Sequence, residues 1–177
     1  FTNHKTTEMK LSQIKIEFKW ALIFVALTLL WLLLERLLGF HDVRIAQHPI
    51  FTNFIFIPAI LFYVLTFLVK RKNSYQGSMT YKQGVITGLI ITGIVTLFVP
   101  LSQLIIAKVI SPGYFPNAIA YAVESGQATQ EEAEGYFSLQ NYIGQSMIGN
   151  VMIGAVTSLM LAIFTRKKSN AEETGAG

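Results

Sequence analysis

The chain has 177 residues, 52% of them apolar and 14% charged, with a net charge of +4 and no cysteine. The charged share is about half that of a soluble domain, and the missing cysteines exclude disulfides, thiolate catalysis and cysteine-ligated zinc. The Lys and Arg residues flank long apolar blocks, unlike the solvated basic patches of nucleic-acid binders, so the expected partner is the lipid bilayer and not nucleic acid.

Phe1 is not a natural start, and Met9, just ahead of Lys10, is the candidate initiator. The first apolar block covers 20–38 and follows Lys10, Lys15 and Lys19, as the core of a signal peptide would. It stays bulky to its end and no small-x-small cleavage site follows, so it reads as an uncleaved span. The second block, 50–69, is 20 residues long. At about 1.5 Å per residue it reaches roughly 30 Å, the thickness of the hydrocarbon core. Pro58 lies inside it and is expected to kink it. The third block, 84–107, carries Pro100 near one end, and the fourth is 142–164.

Between the third and fourth blocks lies a sizeable connection, 108–141. Ser111-Pro112-Gly113 reads as a turn, and Pro116 as the opening of a short helix. Phe115, Ala118, Ile119, Ala122 and Val123 then form one apolar stripe, stopped by Gly126. Thr129-Gln130-Glu131-Glu132 is a capping box with acids at the positive end of a helix. That helix is expected to run on into the fourth span. The tail, 169–177, reads as disordered.

Orientation follows from the basic residues in the connections. Lys5, Lys10, Lys15 and Lys19, then Lys70, Arg71, Lys72 and Lys82, then Arg166, Lys167 and Lys168 make eleven on one side. Arg36, Arg44 and Lys108 make three on the other. The expected fold is all-α: an integral membrane four-helix bundle with both ends inside, forming one domain over 1–168, with a short helical extracytoplasmic segment.

The runs Thr80-Tyr81-Lys82-Gln83-Gly84, Ser111-Pro112-Gly113-Tyr114-Phe115, Gly126-Gln127-Ala128-Thr129-Gln130-Glu131-Glu132-Ala133-Glu134 and Arg166-Lys167-Lys168 occur in that order. In order and spacing they resemble a bacterial family of small four-helix membrane proteins, domain-of-unknown-function family 4199. The likeness covers roughly 10–168. It implies a multi-pass protein of the bacterial inner membrane, and it carries over no activity and no catalytic or binding residue.

Several constellations invite a functional reading. Gly84, Gly88, Thr92 and Thr96 repeat every four residues in the third span, and Ser146, Asn150, Gly154 and Ser158 do so in the fourth. Small residues on one face let helices approach closely in lipid, so these stripes are expected to pack the two spans together; a homodimer interface or a substrate path is the alternative. Asn150, with Gln145 and Gln103, suggests a polar cluster towards the outer leaflet. Glu35, at membrane depth, is expected in an interfacial ion cluster with Arg36, Arg44 and Lys108; a proton or ion relay is the sharper reading. His41, Asp42 and His48 have ligand chemistry, but their spacing matches no helical pair, and no metal or cofactor is expected. The basic runs at 70–72 and 166–168 are suited to anionic headgroups, though topology accounts for them first. No nucleophile elbow, phosphate-cradling loop or H-E-x-x-H is present, so no catalytic residue is assigned.

The leading expectation is a non-enzymatic accessory or scaffold subunit of a membrane complex. Phe115, Ile119 and Val123, with the acids Glu131, Glu132 and Glu134, would offer a docking rim to a membrane-protein partner. A small oligomeric transporter is the alternative, although the proline interruptions do not fall at corresponding positions of two halves. A membrane enzyme acting on a lipid-linked substrate comes last.

Overall fold

The computed structural model describes residues 14–167. Met9, Lys5, Lys10, Lys168 and the tail 169–177 lie outside the described residues. The described residues are all-helical apart from one isolated bridge pair, and four helical stretches are long and apolar enough to cross a membrane. These are Lys15–Leu37, Ile45–Ser74, Tyr81–Ile110 and Leu139–Thr165, of 23, 30, 30 and 27 residues. Large apolar side chains along them stay exposed, among them Leu30, Ile57, Leu97 and Phe164. In water that surface would be a liability; in lipid it is the solvated face, and a helix pairs its interior backbone groups within itself.

Helix α1, Lys15–Leu37, begins five residues before the apolar block that marks it, with Glu17 in its first turn and Arg36 in its last. Both charges suit the helix dipole. Gly39 ends it in the left-handed region (φ 81°), and the Phe40 N–H donates back to the Glu35 carbonyl at 3.0 Å. A Cβ on Gly39 would also lie 2.9 Å from Val43 Cγ2, so glycine answers both a backbone and a space requirement there.

The second span is not one continuous α-helix. It opens with a 3-10 turn (Ile45–Gln47), a short α2 (His48–Phe51) and another 3-10 turn (Thr52–Ile55) before α3, Phe56–Ser74. Pro58 is the third residue of α3. The preceding turns use tighter i→i+3 bonds, so the N–H that proline lacks is not needed there. Helix α4, Tyr81–Ile105, contains Pro100 and passes into a π turn, Ile106–Ile110.

Helix α5, Tyr114–Glu124, starts two residues ahead of Pro116, and Gly126 (φ 71°) follows its end. Helix α6, Gln130–Tyr136, carries both halves of the capping box between Thr129 and Glu132. It does not run on into the fourth span. Phe137 (ψ 53°) breaks it, and the Ser138 hydroxyl accepts from the Asn141 N–H as α7, Leu139–Thr165, begins. A serine able to cap is a restart signal that competes with continuous helix.

The chain divides into two compact units, and each long span contributes to both. Unit 1 comprises Phe1–Phe24, Ala59–Val95 and Asn150–Gly177. Its buried apolar residues include Phe62, Tyr63, Phe67, Ile91 and Ala162, with Trp20 edge-on to Phe62. Glu17 and Lys70 are buried there as an ion pair at 2.8 Å, and Met79 and Lys167 exchange backbone hydrogen bonds. Unit 2 comprises Val25–Pro58 and Thr96–Gly149. It buries Phe40, Ile106, Tyr114, Ala118, Ala122 and Ala133, with Phe40 stacked on Phe51.

Candidate functional site

In unit 1 the small-residue stripes of α4 and α7 face each other. A Cβ on Gly84 would lie 3.0 Å from that of Ala162, and a Cβ on Gly88 would fall 2.5 Å from the Ser158 Cβ and onto its Oγ. One on Gly154 would fall 2.5 Å from Thr92 Cγ2. Thr92 donates to the Gly88 carbonyl and shares a 3.1 Å hydrogen bond with the Tyr63 hydroxyl. Ser158 donates to the Gly154 carbonyl, and the Asn150 amide reaches the Thr92 carbonyl at 3.4 Å. The hydroxyls are thus spent on their own helices or close neighbours, which lets small polar residues sit in a dry contact. Thr96 and Ser146 belong to unit 2, where Gln103 donates to Ser146. Gln145 is exposed.

The chemically distinctive site is in unit 2, around Glu35. Its side chain is fully buried, and its neighbours are not the cations expected from sequence. Among the described residues no ion pair joins it to Arg44 or Lys108, which are exposed. Arg36 is exposed too, with its guanidinium 3.4 Å from the Ser111 hydroxyl. Instead the Trp31 indole donates to Oε1, one helical turn back. His41 and His48 donate from Nε2 to Oε2 at 3.3 and 3.2 Å. His41 is 3% exposed and His48 15%. The reason is local: the turn at Gly39 folds His41 back over the end of α1, and the short turns after it deliver His48 to the same oxygen. Asp42, the carboxylate nearest the histidines in sequence, is exposed and accepts from the Val43 N–H.

An outer layer holds this cluster. The Tyr114 hydroxyl lies 3.4 Å from His48 Nδ1 and 3.0 Å from the Tyr142 hydroxyl. The Asn117 amide donates to the His41 carbonyl at 2.9 Å. Burial pushes the Tyr114 phenol above its ordinary pKa; the hydrogen bond with Tyr142 opposes this and the nearby Glu35 charge reinforces it. The phenol therefore stays protonated and can donate. His41 Nδ1 is buried and has no partner among the described residues. A cavity of about 270 Å³ adjoins the cluster, lined by His41, His48, Tyr114, Tyr142, Gln103 and Ser146 among others. Sequence reasoning passed over Trp31, Tyr114 and Tyr142. Only Trp31 had a readable signal, its i, i+4 spacing to Glu35.

The α5 stripe packs within unit 2. Ala118 and Ala122 are buried, and Phe115, Ile119 and Val123 are half-buried, with Phe115 edge-on to Tyr142. Glu131, Glu132 and Glu134 are exposed on α6, Glu132 engaged by Thr129 and Glu134 by Gln130.

A protein-family model described as "Protein of unknown function (DUF4199)" matches residues 19–167. No curated protein and no solved structure matches the chain.

Proposed function

Since the chain belongs to the DUF4199 family of proteins of unknown function, which brings no activity with it, we propose a role from the geometry: a non-enzymatic accessory or scaffold subunit of a complex in the bacterial inner membrane. The observation that carries this reading is the interlock of α4 and α7 at Gly88, Ser158, Thr92 and Gly154, where not even a methyl group can be added. A transporter needs a polar path that opens between spans, and this contact is closed by van der Waals packing. Among the described residues of unit 1 the buried carboxylate, Glu17, is tied to Lys70 as an ion pair. In this reading the surface offered to a partner is the acidic rim of α6, where Glu131, Glu132 and Glu134 are exposed, and the excess of basic residues in the connections is the ground for expecting both chain ends in the cytoplasm.

The test is recovery of partners. Crosslinking in intact cells, followed by detergent purification, is expected to recover a reproducible membrane protein. The variant with Glu131, Glu132 and Glu134 all changed to Gln should fold and recover several-fold less of it. Glutamine still accepts in the capping box, so folding is spared. Recovery of the chain alone, or equal recovery with the Gln variant, would overturn docking at this rim.

A further inference from the structure

We propose that Glu35, His41 and His48 form a binding site for a first-row divalent transition-metal ion, with zinc as the ion to test. This goes beyond the scaffold reading and does not depend on it, since all three ligands belong to this chain and no partner is required.

The donor set comes first. Two imidazoles and one carboxylate are the ligands of three-coordinate protein sites that keep a further position open for water or another group. The spacing is the second argument. One ligating atom from each residue lies within 4.8 Å of the others. The two Nε2 atoms stand 3.3 and 3.2 Å from Oε2. For bonds of the length zinc makes to nitrogen and oxygen, the edge of a tetrahedron is about 3.3 Å. The carboxylate and each imidazole are therefore already one coordination edge apart.

The surroundings fit as well. Metal-bound carboxylates and imidazoles are held by outer hydrogen bonds. The Trp31 indole holds Oε1 and leaves Oε2 for the ion, and the Tyr114 hydroxyl faces His48 Nδ1. When His48 Nε2 gives its lone pair to a metal, its proton moves to Nδ1 and is donated to the Tyr114 oxygen, whose own proton turns to Tyr142. Both imidazoles are then neutral and Glu35 stays anionic, so the loaded site carries one net positive charge, and any proton held by an imidazolium is released to solvent. His41 makes the same shift, but its proton moves to a buried Nδ1 that has no acceptor among the described residues, which makes His41 the weaker of the two imidazole ligands. No Lys or Arg pairs with Glu35 among the described residues to compete for the carboxylate. The adjoining cavity gives room for a fourth ligand.

The experiment uses the full chain, purified in detergent with an affinity tag that contains no histidine. Zinc is titrated in competition with a chromophoric chelator, and Co²⁺ is added separately as a spectroscopic probe. The expected result is one zinc per chain, visible Co²⁺ bands of a low-coordinate nitrogen and oxygen site, and a zinc-dependent rise in Tm. His41→Gln and His48→Gln keep an N–H donor for Glu35 but lose the imidazole. Each should weaken zinc by more than about 100-fold, beyond what losing an outer hydrogen bond costs. Trp31→Phe should weaken it by about 10-fold, and Asp42→Asn should leave it unchanged. Absence of stoichiometric zinc and of Co²⁺ bands in the parent protein overturns the proposal without reference to any variant. So does retention of parent affinity in folded His41→Gln and His48→Gln, or loss of binding in Asp42→Asn.

Discussion

Gly154 has hydrogen in place of a side chain because Thr92 occupies the space. Gly93, one residue further along α4, has nothing within 4 Å of where its Cβ would be. The two positions are chemically identical in sequence and opposite in consequence. Gly154→Ala forces α4 and α7 apart or drives Thr92 off its rotamer, a cost of about 1–3 kcal/mol for overpacking of this kind. We expect its Tm in detergent to fall by several degrees, that of Gly93→Ala to stay at the parent value, and Thr92→Ala added to Gly154→Ala to recover most of the loss. Equal behaviour of the two glycine variants would mean that the α4–α7 contact is not as close as described. Glu17 and Lys70 make a different point at the same scale. They lie 53 positions apart and are buried together. Each covers the desolvation of the other, and neither would be tolerated at such depth alone.

At the level of elements, α6 has seven residues and little apolar surface, so its ends matter more than its length. The Thr129 backbone N–H and hydroxyl hold the Glu132 carboxylate below the ordinary glutamate pKa. A carboxylate with a depressed folded pKa stabilises the helix at neutral pH, and the contribution is lost as pH falls through that depressed value. Amide hydrogen exchange across α6 should therefore speed up on acidification below the usual carboxylate range, once intrinsic exchange rates are corrected for. Glu132→Gln, whose side chain does not titrate, should show little change in α6 exchange on acidification. An α6 that protects its amides equally at both pH values would show that packing of Ala133, not the cap, holds it. The neighbouring α5 is arranged otherwise: its buried stripe of Ala118 and Ala122 anchors it, and Gly126 ends it.

For the whole molecule the basic residues in the connections set the expected orientation. Eleven basic residues flank one set of span ends and three the other, although Lys70 has its charge matched by Glu17 and Arg71 donates to the Thr165 carbonyl. The remaining bias still favours both ends inside. Ser74 and Ser125 are exposed, and the chain has no cysteine, so single-cysteine variants at these positions need no background removal. A membrane-impermeant thiol reagent added to intact cells should label the Ser125→Cys variant and spare the Ser74→Cys variant. The reverse pattern would place the acidic rim of α6 in the cytoplasm and remove the ground for docking from outside, while leaving the Glu35 cluster as a metal site untouched.

What the sequence determined by itself are the features that depend on neighbours along the chain. Runs of some 20 apolar residues, the capping box at Thr129 and Glu132, and the stop at Gly126 all rest on spacing within one or two helical turns. The small-residue stripes were visible as a four-residue period, but not the register that sets Gly88 on Ser158 and Gly154 on Thr92. The candidate site is legible only in pieces: Glu35 stands out by its depth and the two histidines by their chemistry, but sequence proximity puts Asp42, not Glu35, beside the histidines. Only the tertiary structure decided the grouping of Glu35 with both. A left-handed residue at Gly39 followed by 3-10 and α turns reverses the chain onto the end of α1, and such a reversal leaves no periodic trace. Burial then selects among the candidates: a carboxylate removed from solvent must take every donor within reach, whereas Asp42 and Arg44, exposed on the same connection, can be satisfied by solvent.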